Sequence, residues 1–401
     1  MRHFFLLLGA AAVMSVAAGC EEVDHSGELH QPGAVSVPLD TVARLLSSLP
    51  MEAEHLAEVY DAVSSSLGNG YDEEYMMRDL FVSPGSGVGM TENERSIRTK
   101  AYSRPLKDLI VEHLGMKTRS SVGSVTADEY VEALENSDIQ IYWPYSSEWD
   151  GDDFPVITFD PGNDADSNIG YRMKVNADGS RSVEEVVVDE EMAWKEPVWV
   201  VNRNDDSGFT SLEMLRKDNP DWGAGGSVIV KPSVAAAEAA SGKVRSLVLK
   251  DFMMRRNYDC WFAGASEFFI KCGAVEDFTA STEAELKLYS PKITDFMLTV
   301  KRNKVGQTVP LNVMLVSQWT DQLEDVAFML TEDDGGTRTE WKCSAGVKVK
   351  SKSYGFDVAL PFNTRDDIVW RGQLSARYLE RYDGITSRFG DVDLTFSFLE
   401  R

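Results

Sequence analysis

The sequence predicts an α+β N-terminal part, a small helical body followed by a small antiparallel sheet, and then a C-terminal all-β sandwich of immunoglobulin-like or C2-like type. Three observations lead there. Apolar residues recur at helical spacing as far as about residue 136, and from about residue 138 they alternate with period two. Charge divides along the chain as well: residues 1–242 hold 42 acidic and 18 basic side chains, whereas residues 243–401 hold 23 and 22. Separate surfaces of this kind argue for separate bodies.

The helical region spans 36–136. "PLDTVARLLSSLP" (38–50) sets Val42, Leu45, Leu46 and Leu49 on one face, and Pro50 stops it. "MEAEHLAEVYDAVSSSL" (51–67) repeats the pattern through Leu56, Val59, Tyr60, Val63 and Leu67, with "GNG" as the break. "DEEYMMRDLF" gives a third short helix and "RPLKDLIVEHLG" a fourth. "TADEYVEALENS" opens with a capping box, Thr126 to Glu129, in which each side chain satisfies the other residue's amide. Helices this short must pack on something to persist.

The β-rich region spans 137–231. "DIQIYWPYS", "FPVITFD", "GYRMKVN" and "SVEEVVVDE" have strand length, "NADGS" supplies a hairpin turn, and "EPVWVVNRND" reads as a more fully buried strand. A linker at 232–242, within "KPSVAAAEAASGK", leads to the sandwich at 243–401. There "SLVLKDF", "SEFFIKCG", "FMLTVKRN", "LNVMLVSQW", "DVAFMLTED", "FDVALPF", "DDIVWRGQLSARYLER" and "VDLTFSFLE" are separated by turn residues, the spacing of a sandwich. In "WKCSAGVKVKSK", Trp341, Cys343, Ala345, Val347 and Val349 face one way and Lys342, Lys348, Lys350 and Lys352 the other.

At the head of the chain, "MRHFFLLLGAAAVMSVAAG" has one arginine, an apolar run from Phe4 through Ala12 and small residues before Cys20. This is the n-region, h-region and cleavage zone of a secretory signal, and its apolar run is about half the ~20 residues a membrane span needs. Ala18, Gly19 and Cys20 resemble the lipobox of bacterial lipoproteins, although Ala17 stands where that family usually has a leucine-like residue. The resemblance covers only residues 1–20 or so. It implies that residues 1–19 are removed, that Cys20 becomes an acylated (palmitate-bearing) N-terminus, and that residues 20–35 are a tether. Glu21, Glu22 and Asp24 are similar to the acidic tract that follows the lipidated cysteine of surface-exposed lipoproteins in Gram-negative bacteria. Acyl burial contributes ~0.8 kcal/mol per methylene, so several chains hold a water-soluble body on the outer membrane.

Net charge of −25 argues against nucleic acid, which needs a basic footprint. With Cys20 given to lipid, Cys260, Cys272 and Cys343 remain, and export permits disulfides. Cys260 and Cys272 lie at hairpin-scale separation and form the favoured bridge among three pairings, leaving Cys343 as a buried thiol. The histidines are His3, His25, His30, His55 and His113. None lies beyond residue 113, so HExxH and cysteine–histidine zinc spacings are excluded. His55, beside Glu54 and Glu58, reads as a solvated helix residue.

Candidate chemistry is sparse. "DPGNDADSNIG" places Asp164, Asp166 and Asn168 at alternate positions, the start of a calcium loop, but Ile169 and Val175 stand where an EF-hand needs glycine and a bidentate glutamate. A looser oxygen-ligand site would draw on Asp150, Asp152, Asp153 and Asp160, so calcium is the one cofactor the residues suggest. Ser211 has no G-x-S-x-G elbow and no later histidine. "IYWPYSSEW" packs Tyr142, Trp143, Tyr145 and Trp149 into nine residues, and Trp194, Trp199 and Trp222 follow. Alternation buries about half of these; the others can stack on sugars or dock a protein. The sequence therefore points to a non-catalytic, membrane-anchored envelope protein that binds a glycan or protein. Its rivals are an exported hydrolase using carboxylates or calcium and a structural component of an envelope assembly.

Overall fold

The computed structural model describes residues 37–81, 102–118, 126–220 (apart from 152, 163, 164 and 205–209) and 245–400. The signal and tether, and the linker at 232–242, lie outside the described residues. The N-terminal elements are α1 (Leu39–Ser48), α2 (Ala53–Gly68), β1 (Glu74–Met76), α3 (Met77–Phe81), α4 (Leu106–Thr118), α5 (Ala127–Glu135), β2 (Ile139–Tyr142), β3 (Val156–Phe159), β4 (Ser167–Val175), β5 (Arg181–Asp189), α6 (Glu190–Ala193), β6 (Val198–Arg203) and α7 (Leu212–Asp218). Among the described residues, no helix is long and apolar enough to cross a membrane.

The helices lie over a sheet rather than forming a body of their own. One face of that sheet, with Ile139, Ile141, Trp143, Ile157, Tyr171, Trp199 and Val201, shares a core with Val42, Leu46, Leu56, Val59 and Ile110. The opposite face, with Tyr142, Val156, Val188, Val198 and Val200, is covered by Trp261 and Phe262. Cover on both faces explains why β2 and β6 are buried along their length apart from Arg203. The strand order is β1-β2-β6-β3-β4-β5. β3 runs parallel to β6 while the other pairs are antiparallel, so the sheet is mixed and not the antiparallel one expected.

Local expectations meet tertiary context unevenly. The Thr126–Glu129 capping box is formed, with the Thr126 amide donating to Glu129 Oε2 at 2.8 Å and the Glu129 amide to Thr126 Oγ1 at 3.2 Å. The "NADGS" turn closes with the Asn176 amide donating to the Ser180 carbonyl at 2.8 Å, and Gly179 adopts φ 80°. "DEEYMMRDLF" is helical only from Met77. Glu74–Met76 instead pair with β2, where the exposed edge of a central strand offers a complete backbone ladder that outweighs helix propensity. His55 is fully buried rather than solvated; its Nδ1 accepts the Glu52 amide at 2.9 Å and closes a second capping box.

The C-terminal elements are β7 (Arg245–Met254), β8 (Ser266–Ala274), β9 (Lys292–Val300), β10 (Val309–Trp319), β11 (Leu323–Glu332), β12 (Arg338–Val349), β13 (Lys352–Asn363), β14 (Asp367–Ser375), α8 (Ala376–Arg381), β15 (Thr386–Phe389) and β16 (Val392–Glu400). One sheet has the order β10-β7-β16-β15; the other is β13-β12-β11-β8-β9, with β14 also paired to β11. Leu247, Leu249, Phe252 and Phe396 of the first sheet and Phe268, Ile270, Phe328 and Leu330 of the second enclose a common core, a sandwich-like arrangement. Within "DDIVWRGQLSARYLER" the strand ends at Ser375. That residue's Oγ accepts the Tyr378 amide at 3.2 Å and caps α8.

The expected Cys260–Cys272 bridge does not form; Cys260, Cys272 and Cys343 are all free. Cys272 points into the sandwich core, whereas Cys260 packs on the separate cluster around Trp261 and Phe262. Nearness in sequence did not give the two side chains a common face. Burial pushes the Cys272 thiol far above its ordinary value.

The N-terminal sheet and the sandwich meet through polar bonds as well as through Trp261 and Phe262. Asn202 Nδ2 donates to the carbonyls of Phe262 (3.1 Å) and Ala263 (2.7 Å), and the Ala265 amide donates to Asp72 Oδ2 (2.9 Å). Lys301 pairs with the buried Glu73 at 3.3 Å. Gly264, at φ 140°, leaves room for Asp72, whose Oδ2 would lie 2.9 Å from any Cβ added there.

Candidate functional site

Where β2 ends, the chain turns sharply and its aromatics separate. Tyr142 and Trp143 are 3% and 1% exposed; the first faces Trp261 and Phe262, and the second joins Trp199 at a ring separation of 5.6 Å. Tyr145 then takes a left-handed conformation (φ 61°), which throws its ring outward and starts a short 3₁₀ turn at Ser146–Glu148. Ser146 Oγ fixes that turn by donating to Glu73 Oε1 at 2.7 Å. Trp149 follows, half-buried, its ring 5.2 Å from both Trp143 and Tyr60 and its Nε1 donating to the Asp153 carbonyl at 3.2 Å.

Trp194, at the end of α6, comes against Tyr145 with ring centroids 5.1 Å apart and is 62% exposed. Together these groups line a shallow cleft of about 90 Å³, floored by Trp143 and Pro197 and rimmed by Glu148, Asp150 and Asp153 on one side and Lys195 and Glu196 on the other. Tyr145 is held from beneath. Its hydroxyl donates to Glu190 Oε1 at 2.7 Å, and Arg302 donates to the same carboxylate through Nε at 2.9 Å and to the Asp259 carbonyl through Nη1 at 2.8 Å. Burial alone would raise the Glu190 carboxyl, but the bonds from Arg302 and Tyr145 outweigh it and hold the group below its ordinary value. The cleft offers aromatic faces for stacking, carboxylates that accept hydroxyl donors, and a tyrosine locked in place.

A second cluster lies at one end of the sandwich. Asp259, Glu267 and Glu332 each direct a carboxylate oxygen to within 4.8 Å of the other two. Burial pushes the Asp259 carboxyl well above its ordinary value, against the favourable contact from Glu332, and does the same to Asp366, which lies against Asp333.

The residues singled out from the sequence fall in different places. Of the four aromatics, Tyr145 and Trp149 reach the cleft, Trp143 is its floor, and Tyr142 is core. Trp194 enters from a strand and a helix further along, and its place after "VVVDEEMA" carries no signal beyond being a tryptophan at a helix end. Cys20, Asp152, Asp164 and Trp222 lie outside the described residues. Asp166 is exposed, and its carbonyl accepts Trp261 Nε1 at 3.1 Å. Asn168 uses its amide locally, Nδ2 to the Phe159 carbonyl and Oδ1 to the Ile169 amide, both at 2.8 Å. Asp160 caps Gly162. Ser211 caps α7, accepting the Met214 amide at 3.1 Å, and is fully buried. The carboxylate cluster was not foreseen. Compared with known proteins, the chain matches no family model, no curated protein and no solved structure.

Proposed function

We propose that this chain is a lipid-anchored protein of the cell envelope, held at the outer membrane through Cys20 and facing outward, which binds a glycan at the Tyr145–Trp149–Trp194 cleft without transforming it. The C-terminal sandwich is read as immunoglobulin-like or C2-like. The observation that carries the binding role is Trp194, a mostly exposed indole packed against a tyrosine whose own hydroxyl is fixed by Glu190. An indole face suits the C–H face of a sugar ring, and the carboxylates on the rim suit its hydroxyls. The anchor rests on the lipobox-like "AAGC" and the acidic residues after it.

Oligosaccharide titration followed by tryptophan fluorescence tests the site. Trp194→Ala is expected to weaken binding at least tenfold with an unchanged unfolding midpoint, and equal binding by the variant would sink the proposal. Hydrolysis of the added oligosaccharide would favour the hydrolase reading, and saturation by an envelope protein but by no glycan would favour a protein ligand. For the anchor, Cys20→Ala is expected to move from the membrane fraction to the soluble one.

A further inference from the structure

The carboxylates at the end of the sandwich stand in a row along the ends of three strands, β8, β11 and β14. Glu267 of β8 pairs with Thr299 of β9, and the Asp333 amide donates to the Glu267 carbonyl at 3.0 Å, which sets the Asp333 side chain beside Glu267 on the same face. Glu332 pairs with Asp367 of β14, so Asp366 falls next to Asp333. Side chains so placed are roughly 5 Å apart at Cβ, and like charges there repel. Glu267 is 7% exposed, Asp333 fully buried and Asp366 7% exposed.

Asp333 Oδ1 accepts the Gly335 amide at 3.0 Å and Asn363 Nδ2 at 3.3 Å, while its Oδ2 is buried and meets no donor. Asp366 Oδ2 accepts the Asn363 amide at 2.8 Å, and its carboxyl lies in hydrogen-bond contact with that of Asp333. Two cations lie near: Lys271 pairs with Asp295 at 3.5 Å and Arg302 with Glu190 at 2.9 Å, and their charges also favour ionisation of Asp366 and Asp259 respectively. A buried carboxylate oxygen with no donor is costly. The loop that leads into β8 adds Asp259 to this row, so that its oxygen, one of Glu267 and one of Glu332 lie within 4.8 Å of one another. Two oxygens bound to one calcium at ~2.4 Å lie at most about 4.8 Å apart, so three oxygens within that limit can share one ion; calcium takes about six to eight such oxygens directly, whereas magnesium gives up its waters reluctantly.

We infer that Asp259, Glu267 and Glu332 bind a divalent cation of calcium size, with the buried Asp333 beside them as a further oxygen donor. The ion would hold the loop before β8 against the ends of β8 and β11, and that same loop presents Trp261 and Phe262 to the N-terminal sheet.

The full chain, stripped with EGTA, is titrated with calcium chloride and with magnesium chloride while thermal unfolding and heats of binding are followed. Calcium is expected to raise the midpoint saturably by several degrees, with magnesium at least tenfold weaker. Glu332→Gln is expected to keep a cooperative transition in EGTA and to lose the calcium response. No heat and no midpoint change up to 10 mM calcium, or a Glu332→Gln protein that responds like the parent, overturns the site. Should Glu332→Gln not fold, Asp333→Asn, which keeps shape and removes charge, is expected to weaken calcium at least tenfold, and an unchanged affinity there overturns the role of Asp333.

Discussion

The aromatic cleft and the carboxylate row contrast in almost every physical respect. The cleft is open, built mainly from one short run of chain, and its polar atoms are matched: the Tyr145 hydroxyl by Glu190, the Trp149 indole by the Asp153 carbonyl. The row is closed, drawn from residues between 259 and 366, and its carboxylates outnumber the two cations, Lys271 and Arg302, whose charges reach it. An exposed ring loses little by waiting for a ligand. Buried like charges destabilise the fold until something neutralises them. The exposed rim of the first region can therefore be altered without touching stability, whereas the second region cannot.

The largest expected effect separates the core beneath the cleft from its rim. Trp199→Ala removes a fully buried ring packed edge-on against Trp143 and is expected to lower stability by about 3–5 kcal/mol. Trp194→Ala, on the rim, is expected to stay within about 0.5 kcal/mol. Urea unfolding of both measures the gap, and equal losses would erase the distinction.

Next comes Asp72, at the junction between the N-terminal sheet and the sandwich. Burial, reinforced by Glu73, pushes its carboxyl up to about 7. The folded protein thus holds a proton that the unfolded chain releases near pH 4, and stability falls as pH rises from about 4 to 7. Asp72→Asn can still accept the Ala265 amide. It is expected to match the parent near pH 4 and exceed it progressively towards pH 7.5, at no more than about 1.4 kcal/mol per pH unit and about 4 kcal/mol in all. A parallel pair of stability–pH curves would show that Asp72 does not titrate there.

Arg302 joins the two regions, one bond reaching Glu190 beneath Tyr145 and another reaching the Asp259 carbonyl beside the row. Arg302→Met is expected to cost about 2–3 kcal/mol and Glu190→Gln less. Because one interaction is removed twice, the double variant should lose less than the sum of the two. Strict additivity would mean that the pair contributes nothing. The smallest effect is local to one helix end: Thr126→Ala is expected to cost about 1 kcal/mol, read as a small drop in urea midpoint.

These differences track what the sequence made legible. The Thr126–Glu129 box, the Gly179 turn and most sandwich strands depend on neighbours a few residues away, and each is visible in the residue string. Glu74–Met76 became a strand because β2 offers an edge, and β3 became parallel to β6 because β6 inserts between β2 and β3; neither partner is local. Two rings of the aromatic run were sunk by β2 being covered on both faces, which alternation alone could not report. The row was illegible for a stronger reason. Its members are separated by up to about a hundred residues, and only the register of β8, β11 and β14 places them side by side.

The insertion of β6 also bears on the order of assembly. β2 and β3 are made early, yet neither can complete its ladder until Val198–Arg203 arrives between them. One sheet of the sandwich repeats the device, because β16 lies between β7 and β15 and is the last of the described strands in sequence order. These two sheets thus wait on a latecomer inside them rather than growing outward from a hairpin, which raises contact order and slows folding. Until Val392–Glu400 docks, β7 keeps one edge unpaired and Leu394 and Phe396 are missing from the sandwich core. The last strand acts as a keystone, and a chain stopped before it would keep its edges open to other chains.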